Sequence, residues 1–94
     1  MRKTDKKIDN TIISALTDVC HVAQQNQSGF QWLTHNVNYQ SFPDSLTITC
    51  VYEVEPTYAV KNEMRSLVAD KLAEIGIVLK DNHRKILFEN KEKR

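Results

Sequence analysis

The sequence predicts an α+β fold: a two-layer sandwich in the order helix, strand, strand, helix, strand, with both helices on one face of an antiparallel sheet. Two observations lead to it. Two long segments repeat apolar residues at helical spacing, and between them SLTITCVYEV alternates its side chains with the period of a strand. Each of these elements is amphipathic and must bury one face. Two helices and a hairpin bury one another when both helices lie on the same side of the sheet.

In the first segment Ile8, Ile12, Leu16, Val19 and Ala23 recur at steps of four, four, three and four, which keeps them on one helix face. This predicts a helix over residues 5 to about 25, roughly five turns long. Thr4 or Asp5 caps its start by accepting a backbone N–H that has no helical partner, and the polar run QQNQSG with Gly29 ends it. Ile13 and Cys20 flank the stripe and widen the buried face.

Residues 30–39 are rich in aromatic and β-branched side chains, with Leu33, His35, Val37 and Tyr39 alternating against Trp32, Thr34, Asn36 and Asn38. They predict a first strand with one mainly polar face. The stretch QSFPDS supplies Pro43 and Asp44 for a turn, since proline presets φ and aspartate bonds its own backbone. A hairpin then leads into residues 45–54. There Leu46, Ile48, Cys50, Tyr52 and Val54 point to the helices, and Thr47, Thr49, Val51 and Glu53 point away. Trp32 and Thr34 share that second face.

Pro56 holds the residue before it extended. Val60, Met64, Leu67 or Val68, Lys71 or Leu72, and Ile75 then trace a second helical stripe, with Thr57 as its cap and Gly76 at the left-handed position beyond its end. Residues 77–79 continue extended, LKDNHRK is a charged turn, and residues 85–89 form a last strand through Ile86, Leu87 and Phe88. Residues 89–94 fray.

The chain is 94 residues long and makes one domain, residues 1–94. At 40% hydrophobic and 27% charged it has the composition of a soluble globular protein rather than a disordered one. No apolar run approaches the ~18 residues of a membrane span, and MRKTDKKIDN lacks the apolar core of a signal peptide, so a cytoplasmic location is expected. Cys20 and Cys50 stand apart rather than in a CxxC pair, which argues against a zinc ribbon and a redox dithiol and predicts two buried, reduced thiols. A net charge of +1 is far from the excess of a dedicated nucleic-acid binder, so any basic footprint must come from distribution.

At MRKTDKKIDN, GFQWLTH, FPDSLTITCVYE and RSLVADKLAEIGIVLKD the chain resembles, over nearly its whole length, a family of small gammaproteobacterial proteins. Its members often carry the label "Fis family transcriptional regulator", and the resemblance implies a nucleic-acid-binding regulator. Fis proteins themselves are all-helical, with a C-terminal helix-turn-helix, whereas ILFE here is a β-type segment after Gly76. The order helix, hairpin, helix, strand also looks like part of a K-homology-type domain, which implies single-stranded nucleic acid as partner. The phosphate-clamping GXXG loop of that family has no counterpart, because the chain's two glycines are Gly29 and Gly76.

No residue pattern marks a catalytic, cofactor or metal site. His21, His35 and His83 fall on a helix, a strand and a turn, and the neighbours Cys20 and His21 point about a hundred degrees apart on a helix. Phe30 and Tyr39 are expected to fill the core, whereas Trp32 sits on a polar face and is a candidate stacking or docking surface. Arg2, Lys3, Lys6 and Lys7 open the first helix, and Lys80, His83, Arg84 and Lys85 crowd the turn before the last strand. Together these are candidate contacts for a partner; alternatively they are solvated ends, with Asp5, Asp9 and Asp81 interspersed. Lys61, Arg65 and Asp70 read as a solvated helix face. The expectation is a non-enzymatic module that binds an unidentified protein or nucleic acid through the sheet face or the basic turn. A nucleic-acid-binding regulator comes second and a small enzyme third.

Overall fold

The computed structural model describes residues 3–42 and 44–91, and the side chains within them except those of residues 3–5, 82 and 83. Helix α1 (Lys3–Asn26) is followed by strand β1 (Phe30–Asn36), a 3-10 turn (Tyr39–Ser41), strand β2 (Thr47–Tyr52), helix α2 (Tyr58–Glu74), the short helix α3 (Asn82–Lys85) and strand β3 (Ile86–Asn90). The chain is α+β, as its periodicities predict. The stripe residues Ile12, Leu16, Val19 and Ala23 of α1 and Met64, Val68 and Leu72 of α2 are all at most 3% exposed. They form one cluster with Leu46, Ile48, Cys50, Tyr52 and Ile86.

The ends of α2 follow the expected chemistry, whereas α1 already begins at Lys3, so Thr4 and Asp5, expected to cap it, lie within the helix. Thr57 caps α2 by accepting the Val60 N–H at 3.2 Å. Beyond the other end, Gly76 takes φ +85° and Ile77 returns its N–H to the Leu72 carbonyl at 2.9 Å, a closure that a left-handed glycine permits.

The sheet is mixed, not antiparallel throughout. Its strand order is β1-β2-β3, with β1 antiparallel to β2 and β2 parallel to β3. The length of α2 explains the difference. Its 17 residues rise about 25 Å, enough to carry the chain back along the sheet, so β3 starts at the end where β2 starts. A helical crossover of this kind joins parallel neighbours.

Several boundaries also differ. β1 stops at Asn36, and Tyr39 lies in the 3-10 turn that Asn38 caps by accepting the Gln40 N–H at 3.0 Å. β2 ends at Tyr52, so Val54, expected inside, sits in a bend and is 48% exposed. The charged turn contains α3, and residues 89 and 90, expected to fray, belong to β3; residues 92–94 lie outside the described residues. Ile13 is 46% exposed rather than part of the buried face.

A bulge divides the aromatic run. Phe30 pairs with Tyr52 but Trp32 pairs with Val51, so Gln31 is an extra residue in β1. Residues two apart in a regular strand share a face; the inserted residue sends these two to opposite faces. Phe30 is 8% exposed and meets Tyr52 edge-on, with ring centroids 5.5 Å apart, while Trp32 stays 44% exposed.

Candidate binding surface

Trp32 shares its register line with Val51 and Glu89, and the next line on the same face joins Thr34, Thr49 and Leu87. Val51 is 6% exposed yet stands outside the core cluster, and Leu87, 45% exposed, accompanies Trp32 in the open. The Lys91 ammonium lies 5.3 Å from the Trp32 ring centroid and donates to Gln31 Oε1 at 3.1 Å, a cation held against an aromatic face. This surface offers apolar area, threonine hydroxyls and a Glu89–Lys91 pair of opposite charges.

The start of α1 and the short helix α3, which carry two of the basic groups, lie at one end of the sheet. Ile86, the first residue of β3, pairs with Ile48 near the start of β2, which puts α3 beside the β1–β2 connection. Lys85 donates to the Asp44 carbonyl there. Lys7 of α1 lines a hollow of about 280 Å³ with Ile8, Phe42, Ile75, Gly76 and Ile77 at the same end. Lys6, Lys7, Lys80 and Arg84 are exposed and Lys85 is half-buried. Asp81 interrupts the group and accepts the Arg84 backbone N–H at 3.3 Å. Arg2 and the side chains of Lys3 and His83 lie outside the described residues.

Asp9 is a structural anchor rather than a solvated charge. Its Oδ1 lies 2.9 Å from His35 Nε2 and accepts the Tyr39 hydroxyl at 2.7 Å, tying α1 to the end of β1 and the 3-10 turn. Because an ionised carboxylate only accepts, Nε2 is the nitrogen that carries the proton. The His35 bond, then the Tyr39 bond, hold the Asp9 carboxyl below its ordinary value against the opposing effect of burial. A depressed folded value contributes stability above the unfolded carboxyl range, and that contribution is lost as pH falls through the folded value. Asp9→Asn is therefore expected to cost about 1 kcal/mol at neutral pH. The gap from wild type should close below about pH 4 in urea unfolding; a gap unchanged at about pH 2 would contradict the assignment.

Lys61 and Arg65, expected in water, lean over Phe88 instead, at 5.9 and 5.1 Å from its centroid. Glu55 binds Lys61 at 2.8 Å and Asn90 Nδ2 at 2.6 Å. Both cysteines are free thiols; Cys50 is buried as expected, whereas Cys20 is only half-buried. Burial pushes Cys50 up to about 12, with Cys20 adding to it, and burial also raises Cys20, so neither has the character of an activated nucleophile. Among the described residues no group of three His, Cys, Asp or Glu side chains is placed to hold a metal, and no helix is long and apolar enough to cross a membrane.

Compared with protein-family models, curated proteins and solved structures, the chain shows no match.

Proposed function

We propose that the chain is a non-enzymatic, cytoplasmic binding module that docks a macromolecular partner on the sheet face bearing Trp32, Val51 and Leu87. One observation carries this reading: two large side chains, Trp32 on β1 and Leu87 on β3, stay 44% and 45% exposed on the same face of the sheet, on adjacent register lines either side of β2 and outside the core cluster. The reading takes both helices to cover the other face, and the single cluster joining α1, α2, Ile48, Cys50 and Tyr52 supports that arrangement. A protein partner is favoured, because the face is apolar at its centre and Glu89 offsets Lys91, leaving no local excess of positive charge.

A second reading, single-stranded nucleic acid, is favoured by Lys91 beside Trp32 and by the exposed Lys6, Lys7, Lys80 and Arg84. It is also what both family resemblances imply. Trp32 is the chain's single tryptophan, so its fluorescence separates the two. Titration with short single-stranded DNA and RNA at low salt should leave it unquenched on the protein reading. Quenching that fades steeply with salt, and is lost in Lys80→Glu with Arg84→Glu, would replace a protein partner with nucleic acid.

A further inference from the structure

β1 is an edge strand, and among the described residues no strand pairs with its outer side. Exposed edges invite pairing, and proteins guard them with charges, prolines or cover. The two edges of this sheet are treated differently. β3 is five residues long, carries Glu89 with Lys91 just beyond, and has Lys61 and Arg65 drawn over Phe88. β1 is seven residues long, FQWLTHN, with no Lys, Arg, Asp, Glu or Pro.

Beside β1 lies a cleft. Ile13, Leu16, Thr17 and Cys20 of α1 and Leu33 and His35 of β1 enclose a hollow of about 170 Å³ that is open to solvent. Ile13 stands at its lip, 46% exposed, and the Cys20 thiol, a weak partner, meets the Leu33 backbone.

We propose that the cleft between α1 and β1 is a peptide-docking site, taking an extended segment of a partner protein that adds beside β1 as a fourth strand and sinks an apolar side chain between Ile13, Leu16, Cys20 and Leu33. This goes beyond the sheet-face reading, because it names a different surface and a different mode of binding. Backbone bonds to β1 supply the pairing and the hollow supplies selectivity. Side chains of an added strand alternate between faces, so every second residue enters the hollow and its neighbours lie beside Trp32.

Charge, area and sterics identify the occupant. Five of the six lining residues bear no charge and the sixth, His35, is bonded to Asp9. The segment is therefore apolar at alternate positions, with a basic residue at the end beside Asp9. A seven-residue edge is about 23 Å long and one strand, about 5 Å, wide. That is far less than the ~800 Å² per partner of a stable globular interface, but enough for a short strand. A second copy of this chain does not fit. Each α1 packs against its own β1, so pairing two β1 edges would bring two helices to the same narrow seam, where strands stand about 5 Å apart and packed helices need roughly 8–10 Å.

Displayed random peptides of about seven residues, the length of β1, should be selected on the folded full chain and the enriched sequences synthesised. The expected sequences are apolar at every second position, slow hydrogen exchange in β1, and slow alkylation of Cys20. Ile13→Arg with Thr17→Arg, both exposed on α1, should weaken them by about tenfold or more, while Leu87→Lys should not. No enrichment, or bound peptides that leave Cys20 alkylation unchanged, overturns the proposal. Peptides sensitive to Leu87→Lys but not to the α1 pair also overturn it, while leaving the sheet-face reading intact.

Discussion

Trp32→Ala combined with Leu87→Lys is expected to weaken partner retention by about 100-fold or more, while lowering unfolding free energy by only about 2–3 kcal/mol, so that the variant stays folded. The two effects separate because of where the side chains lie. Both are close to half exposed on the sheet face, so the folded chain loses only the buried half of each when they change. A partner that covers them loses its largest apolar anchor and must desolvate a new ammonium, and tryptophan truncations are among the costliest at interfaces. The folded state does lose the Lys91–Trp32 contact, which at an exposed site is worth about 0.5–1 kcal/mol. Quantitative capture of the partner, with urea unfolding of the same preparations, measures both quantities. Retention unchanged in a folded double variant would remove the face from consideration.

Ile48→Ala is expected to have the largest effect on stability, about 3–4 kcal/mol. Ile48 is 0% exposed, lies in the central strand, and stands between His35 and Ile86 in register. Truncation removes transfer free energy and leaves a cavity that two neighbouring strands prevent from collapsing. A domain of this size has roughly 5–15 kcal/mol in all, so the urea midpoint should fall by a large fraction with the slope unchanged. Val51→Ala, one strand face away and outside the core cluster, should cost about 1 kcal/mol. Equal losses at the two positions would contradict the assignment of a single core face.

The core was legible because it is written in periodicity. Steps of three and four placed Ile12, Leu16, Val19 and Met64 inside and narrowed the rest of the α2 stripe to two pairs, from which the structure buries Val68 and Leu72; alternation placed Ile48, Cys50 and Tyr52 there. Alternation also put Trp32 on the polar face, but its exposure, 44%, came only with the structure. What stayed hidden depends on connections between distant residues. The direction of β3 follows from the length of the crossover, which periodicity does not encode. The Gln31 bulge, which separates Phe30 from Trp32, leaves no mark that distinguishes it from a regular strand. The pairing of Asp9 with His35 and Tyr39 spans 26 and 30 residues, and Lys61 and Arg65 reach a Phe88 that no local pattern places nearby. Lys91 was lost among the terminal charges; the helpful signal was its position two residues past Glu89, on the same strand face as Leu87.

The most direct test of the sheet face as docking surface is photo-crosslinking inside cells. A photoreactive amino acid would replace Trp32 or Leu87 in one set of variants, and Glu63, exposed on α2, or Arg84 in another. A discrete protein adduct from positions 32 and 87, with none from 63 or 84, is the predicted result. Adducts from 63 or 84 alone, with positions 32 and 87 silent in a folded chain, would contradict it.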